Sequence, residues 1–236
     1  MEKDDNLRLA LAVGNKLEQD GYPVFYTRTN DMYQRPVDKA MIANASGGDY
    51  FVSFHRNAAA SPNLYNGVQT LVFNDSGINK VLADNVNQKM VGVGFKDLGV
   101  EERKNLAVLR RTKMPAILIE AGFIDSDKDN QLFDNNFDQL VNAIATGIEQ
   151  SVGAKGNNDS APPAIQYGVQ TGLYRRVENA RYALMELINR GYDAEIIEKP
   201  PYYAVVVGDE ANIDSARKLE QQLIKDGYNT LIINRG

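Results

Sequence analysis

His55 is the only histidine in this 236-residue chain. Any chemistry that needs an imidazole near neutral pH, as a metal ligand or as an acid/base group, must therefore use it. It ends the apolar run Tyr50-Phe51-Val52-Ser53-Phe54 and precedes Arg56-Asn57-Ala58. That places it at the carboxyl end of a strand, where an α/β sheet presents side chains to a cleft. Glu120 holds the equivalent place on a second run, Met114-Pro115-Ala116-Ile117-Leu118-Ile119-Glu120. A carboxylate at the tip of a buried strand needs compensation. An arginine such as Arg110 or Arg111 could supply it, and so could a metal-bound water whose proton the carboxylate takes. Glu2 is the third candidate, but it opens the first helix, where the macrodipole favours acids, as it does for Asp4 and Asp5. Its position alone does not separate a helix-start acid from a ligand.

Two other chemistries have little support. The chain has no cysteine, which removes disulfides, thiolate metal sites and cysteine nucleophiles together. A serine hydrolase would want Gly-x-Ser-x-Gly, which is absent, and Ser53 and His55 lie two apart on one strand without a nucleophile elbow.

The elements that must position these residues alternate. Leu7, Leu9, Leu11, Val13 and Leu17 predict a helix that stops at Gly21. Val24-Phe25-Tyr26-Thr27 predicts a strand, Val37 to Asn44 a helix, and 50–55 and 68–73 two strands. Residues 78–91 predict a helix, 116–120 a strand, and 130–150 a long closing helix. Short apolar strands alternating with helices imply an α/β layer fold with both sheet faces covered.

The stretch Ser151 to Ala164, built from Gly, Asn, Ser, Ala and Pro without apolar periodicity, reads as a linker. It separates a first domain, 1–150, from a second, 165–236. The second repeats itself at an offset of 36 residues. Gly172 matches Gly208, Ala180 matches Ala216, Leu187-Ile188 matches Leu223-Ile224, Gly191-Tyr192 matches Gly227-Tyr228, and Ile196-Ile197 matches Ile232-Ile233. Each copy reads strand, helix, Gly-Tyr turn, strand, so the pair makes a small α+β unit, βαββαβ, with two helices on one face of its sheet.

In the first domain the string Glu2-Lys3-Asp4-Asp5-Asn6-Leu7 is followed by Thr27-Arg28-Thr29-Asn30-Asp31, Arg35 and Ala43-Asn44. Next come Ser53-Phe54-His55-Arg56-Asn57-Ala58, then Leu106 to Leu109, and Pro115-Ala116 leading to Ile119-Glu120-Ala121-Gly122-Phe123-Ile124. In this order the motifs resemble the zinc-dependent N-acetylmuramoyl-L-alanine amidases of bacterial cell-wall turnover. The resemblance implies an α/β catalytic domain with a mixed, six-stranded sheet. It implies Glu2 and His55 as zinc ligands and Glu120 as the catalytic glutamate that activates the metal-bound water. It also implies hydrolysis of the amide joining N-acetylmuramic acid to the L-alanine of the stem peptide. The family pattern begins with an apolar strand ending in an Asp-Pro-Gly-His-Gly-Gly-like turn, which supplies another histidine ligand; this sequence has no such turn before Glu2. The matching places therefore offer two ligands where a catalytic zinc keeps three. A catalytically inactive peptidoglycan-binding protein is thus the competing expectation.

Arg56 stands where a small residue is expected. It is read either as a solvent-facing side chain or as a contact to a stem-peptide carboxylate, which suits a guanidinium. Glu101, Glu102 and Arg103 read as a charged rim of the substrate groove. The repeat region resembles the sporulation-related repeat (SPOR) domain, which implies binding of peptidoglycan glycan strands. Tyr167, Gln170 and Tyr203 are its candidate sugar contacts if they face outward.

The resemblance thus implies zinc as cofactor, peptidoglycan as partner through its stem peptides and glycan strands, and an extracellular or wall location. Other partners are disfavoured by charge and hydropathy. The chain carries 26 Lys+Arg against 31 Asp+Glu, net −5, which is no nucleic-acid footprint. An RNA-binding reading of the βαββαβ unit would want a basic setting. No apolar run reaches the ~18 residues of a membrane span, and the polar start Met1-Glu2-Lys3-Asp4-Asp5-Asn6 is not a recognisable signal peptide.

Overall fold

The computed structural model describes residues 1–152 and 166–235. Beyond Val152 the linker expected at 151–164 lies outside the described residues. The chain divides into two compact units. One holds Met1–Tyr22 and the residues from Asp31 through the helix that ends at Val152; the other holds Pro23–Asn30 and the repeat region.

The first unit runs α1 (Glu2–Gln19), α2 (Pro36–Ser46), β1 (Phe51–Asn57), β2 (Val68–Val72) and α3 (Gly77–Gly92). It continues through β3 (Asp97–Glu102), α4 (Ala107–Arg111), β4 (Ala116–Phe123), α5 (Asp127–Asn135) and α6 (Phe137–Val152). Its sheet has the order β1-β4-β2-β3. β1 runs parallel to β4 and β2 antiparallel to it, while β3 is parallel to β2. The mixed sheet is as expected, but it has four strands rather than six among the described residues.

Both faces are covered because the inner strands, β4 and β2, carry apolar residues on both sides. On one face Val68, Val72, Ile117 and Ile119 pack with Leu9 and Val13 of α1, Leu82 and Val86 of α3, and Leu140 and Ile144 of α6. On the other face Phe51, Leu71, Ala116 and Leu118 meet Ala43 of α2 and Val108 and Leu109 of α4.

Three local expectations are corrected. Val24–Thr27 carries no strand; Phe25 instead packs beside Ala204, Val206 and Ile233. The long helix expected at 130–150 is two helices, broken at Asn136, whose φ of −116° and ψ of 26° leave the α region. β3 was not expected from Asp97-Leu98-Gly99-Val100-Glu101-Glu102, because a glycine and three acids give little β propensity. It forms as an edge strand, where charge is tolerated.

The second unit runs β5 (Tyr167–Tyr174), α7 (Val177–Asn189), β6 (Ala194–Lys199), β7 (Tyr202–Glu210), α8 (Ile213–Lys225) and β8 (Leu231–Asn234). All its pairings are antiparallel, in the order β6-β7-β5-β8. The 36-residue offset carries α7 onto α8 at both ends. Its matched residues do the same work: Ala180 and Ala216, Leu187 and Leu223 are all fully buried. Gly191 and Gly227 sit at φ +86° and +91°, a left-handed exit that glycine adopts without steric cost. The following Tyr192 and Tyr228 return their N–H groups to Leu187 and Leu223.

Candidate active site

The site is built at one end of the sheet in the first unit. β1 and β4 run parallel, so their carboxyl ends lie side by side, and their register sets His55 directly opposite Glu120. β2, on the other flank of β4, places Gln69 opposite Glu120. In-register residues project from the same face of a sheet, so His55, Glu120 and Gln69 form one row. The register then shifts between His55 and Asn57, with Ala121 and Gly122 of β4 facing Arg56 alone. Such bulges re-aim side chains beside active sites. Gly122 takes φ +82°, and a Cβ there would meet Asp129 Cβ at 3.0 Å and a Phe95 ring carbon at 3.1 Å, so the bulge requires glycine.

Glu2 arrives from the start of α1. Its Oε1 lies 3.1 Å from His55 Nδ1 and accepts from the Asn6 side-chain amide at 3.0 Å. The bond to His55, reinforced by Asn6 and by the backbone N–H of Arg56, holds the Glu2 carboxyl below its usual range despite partial burial. Glu120 is pushed the other way. Burial raises its carboxyl to about 7, with Glu2 adding to the rise and His55 and Arg103 opposing it. Glu120 Oε2 is buried and has no hydrogen-bond partner. Arg110 and Arg111, the cations considered as its partners, are not among the groups acting on it. The structure therefore gathers residues 2, 55 and 120, which the chain separates widely.

Arg56 is not solvent-facing, and it is not free to take a stem-peptide carboxylate. It is 5% exposed and its guanidinium is engaged on several sides. One amino group donates to Asp5 at 2.9 Å, and the other donates to Asn130 at 2.7 Å and to the Phe123 carbonyl at 3.3 Å. The group lies 4.3 Å from the centre of the Phe133 ring. The reason is strand alternation: with His55 facing the site, Arg56 must face the α1 and α5 side.

The rim is more ordered than its sequence suggested. Glu101 accepts from Gln69 at 2.9 Å and from Arg103 at 2.8 Å. Gln69 was not anticipated, since no local signal marks it until β2 pairs with β4. Asn6 and Asp5 could have been found from helical spacing, because i+3 and i+4 share a face with Glu2. A cavity of about 280 Å³ lined by Leu109, Arg110 and Met114 reaches Ala116, the start of β4, and so lies at the far end of the strand from Glu120.

In the second unit Tyr167 is 4% exposed, so it is not an outward sugar platform. It pairs with both Glu210 and Asn234 as the middle of three strands, which buries its ring. Gln170 and Tyr203 are half-buried.

As to a metal, the donors suit zinc in kind. Two ligands about 2.1 Å from a tetrahedral zinc stand roughly 3.4 Å apart, close to the 3.1 Å between Glu2 Oε1 and His55 Nδ1. They fall short in number: among the described residues no group of three His, Cys, Asp or Glu could hold a metal ion.

Comparison with known proteins points to one chemistry. Residues 1–150 match the N-acetylmuramoyl-L-alanine amidase family and residues 163–234 match the SPOR domain. A sporulation-specific N-acetylmuramoyl-L-alanine amidase of Bacillus subtilis is 31% identical over 204 residues, which span 84% of this chain and 76% of the relative. The endolysin of Bacillus phage SPP1 is 32% identical over 183 residues, 75% of this chain and 67% of the phage protein. Among solved structures, an N-acetylmuramoyl-L-alanine amidase from Clostridium difficile 630 superimposes with a TM-score of 0.60 at 36% identity, covering 66% of this chain and 86% of that one. The catalytic domain of CwlV from Bacillus (Paenibacillus) polymyxa var. colistinus does so at 0.60 and 30%, covering 66% and 87%.

Proposed function

Because the chain belongs to the N-acetylmuramoyl-L-alanine amidase family, enzymes that act on bacterial cell-wall peptidoglycan, we propose that Glu120 is its general base and that Glu2 and His55 are its zinc ligands. One observation carries this assignment: a largely buried carboxylate oxygen without a partner sits in register with the chain's only imidazole, which is itself bonded to Glu2. Zinc bound by Glu2 and His55 would supply Lewis acidity, polarising an amide carbonyl and acidifying water.

The chain's own residues do the rest. Glu120, held near 7 by burial, is poised to take a proton from water at neutral pH and to return it to the departing amine of L-alanine. Its unpartnered Oε2 is the atom available for that transfer. Asn6 and the Arg56 N–H keep Glu2 ionised and aimed at His55. Gln69, fixed by Glu101 and Arg103, lines the groove beside Glu120 and offers an amide to the substrate. The bond cut is the amide between N-acetylmuramic acid and L-alanine.

The SPOR domain makes the protein a peptidoglycan binder as well as a hydrolase, and the place of action is the cell wall. Among the described residues no helix is long and apolar enough to cross a membrane. Glycan strands are the ligand we assign to the second unit, with Gln170 and Tyr203 as contacts. Tethering there would raise the local concentration of substrate at the active site.

A second reading, a wall binder without turnover, draws on the shortage of ligands. Zinc content by elemental analysis, together with release of stem peptides from purified walls, separates the two. Stoichiometric zinc with turnover, lost in Glu120→Gln, is the expected result. Wall binding with neither zinc nor turnover would overturn the catalytic assignment.

A further inference from the structure

Arg56 follows His55 in the chain yet points away from the site, into the body of the first unit. A guanidinium this deeply buried is costly unless its hydrogen bonds are met. Its two amino groups are met from three elements, Asp5 of α1, the Phe123 carbonyl at the end of β4, and Asn130 of α5, while Nε is buried without a hydrogen-bond partner. Asn130 is fixed in turn, because its amide donates to the Ile124 carbonyl at 2.9 Å. Phe133 covers one face of the guanidinium.

The link to Asp5 matters for the site. Asp5 lies three residues beyond Glu2, one turn along the same face of α1, so whatever fixes Asp5 fixes Glu2. At the other end of the link, the Arg56 backbone is continuous with His55, and its N–H reaches the Glu2 carboxylate. The bulge at Arg56 frees this residue from regular pairing with β4 and gives the side chain its path inward. The result is a closed loop of contacts from His55 through Arg56 to Asp5, then along one helical turn to Glu2, and back to His55 Nδ1 at 3.1 Å. Elsewhere on the first turn of α1 the ion pairs of Lys3 and Asp4 are exposed, whereas the Arg56 side chain is 3% exposed and Asp5 25%.

We infer that the Arg56–Asp5 pair is a positioning device that sets the start of α1 against β1 and thereby holds Glu2 on His55. The inference deepens the proposed function and rests on its assignment of Glu2 and His55 as zinc ligands. Residues that orient ligands from behind typically change metal affinity or activity by roughly 10–100-fold when removed.

The test uses the full chain and the variants Asp5→Ala, Asp5→Asn and Glu2→Gln, with circular dichroism to establish that each is folded. Because His55 is the only histidine, its two imidazole nitrogens give an isolated pair of 15N resonances, read in metal-free protein at one fixed pH. Glu2→Gln defines the shift produced by losing the ionised Glu2 partner. Asp5→Ala, which leaves Glu2 and His55 untouched, should move the resonances toward those of Glu2→Gln, lower zinc affinity by about tenfold or more, and reduce kcat more than it changes KM. Asp5→Asn keeps an acceptor for the guanidinium and should fall between Asp5→Ala and the unaltered protein. Imidazole resonances of Asp5→Ala and Asp5→Asn that coincide with those of the unaltered protein would overturn the inference. Failure of the unaltered protein to bind zinc would sink the ligand assignment instead, while the metal-free 15N comparison would still decide whether the pair positions Glu2.

Discussion

Each unit of the molecule draws a glutamate away from water, and the two are treated differently. In the repeat unit Glu220 is 3% exposed, and its Oε1 accepts from the Thr230 hydroxyl at 3.2 Å. In the amidase unit Glu120 Oε2 is buried with no hydrogen-bond partner, and burial lifts its carboxyl to about 7. A buried carboxylate that is bonded serves the fold. One left unbonded costs stability and keeps its lone pairs for chemistry. The same contrast runs through the architecture. The repeat unit is assembled from matched neighbours 36 residues apart, whereas residues 2, 55 and 120 meet only through the sheet and the first helix.

The largest expected effect bears on Glu120. Glu120→Gln should lower the rate of stem-peptide release from purified walls by roughly 10²–10⁴-fold, the range associated with general acid–base catalysis, with the circular dichroism spectrum unchanged. A loss below fivefold would remove the contrast with Glu220. Next comes Arg56→Ala, which strands Asp5 by deleting its buried partner and should destabilise the first unit by about 3–5 kcal/mol in urea unfolding.

The third prediction concerns pH. Folding raises the Glu120 pKa from its ordinary 4.5 to about 7, so the native state binds a proton that the unfolded chain releases first. Stability should therefore fall as pH rises from about 4.5 to about 7 and level off above that range, by on the order of 3 kcal/mol in the metal-free protein. Glu120→Gln should flatten this dependence, measured by urea midpoints at pH 5 and pH 8. The same variant would thus be slower and, at pH 8, more stable. Smallest is Glu220→Ala, which removes the acceptor that Thr29, Asn30 and Thr230 share; it should cost about 1–3 kcal/mol and leave hydrolysis of a soluble muropeptide unchanged.

Much of the fold was legible because it is encoded over short distances. Period-2 and continuous apolar runs marked β1, β2 and β4, and the Gly-Tyr exits marked both repeat helices, since a left-handed turn after a helix favours glycine at that position. β3 escaped because an edge strand needs no apolar signature. Val24–Thr27 looked like a strand because its residues favour one, but a strand exists only within a sheet ladder, and this segment joins neither sheet. Tyr167 and Arg56 were misjudged for a related reason. Exposure is a property of what packs against a side chain, and neither the middle position of β5 nor the inward path of Arg56 through the bulge is written in the adjacent residues.

The sequence by itself determined the residue types able to do chemistry, the order of the motifs around them, and the duplication of the second unit, because these are matters of identity and spacing along the chain. Only the tertiary structure decided that Glu2 lies on His55, that Glu120 stands opposite it with an unpartnered oxygen, and that Arg56 supports the pair from behind. Those facts follow from strand register and helix docking, which bring distant residues within about 3 Å, where hydrogen bonds act and where loss of water begins to shift a pKa.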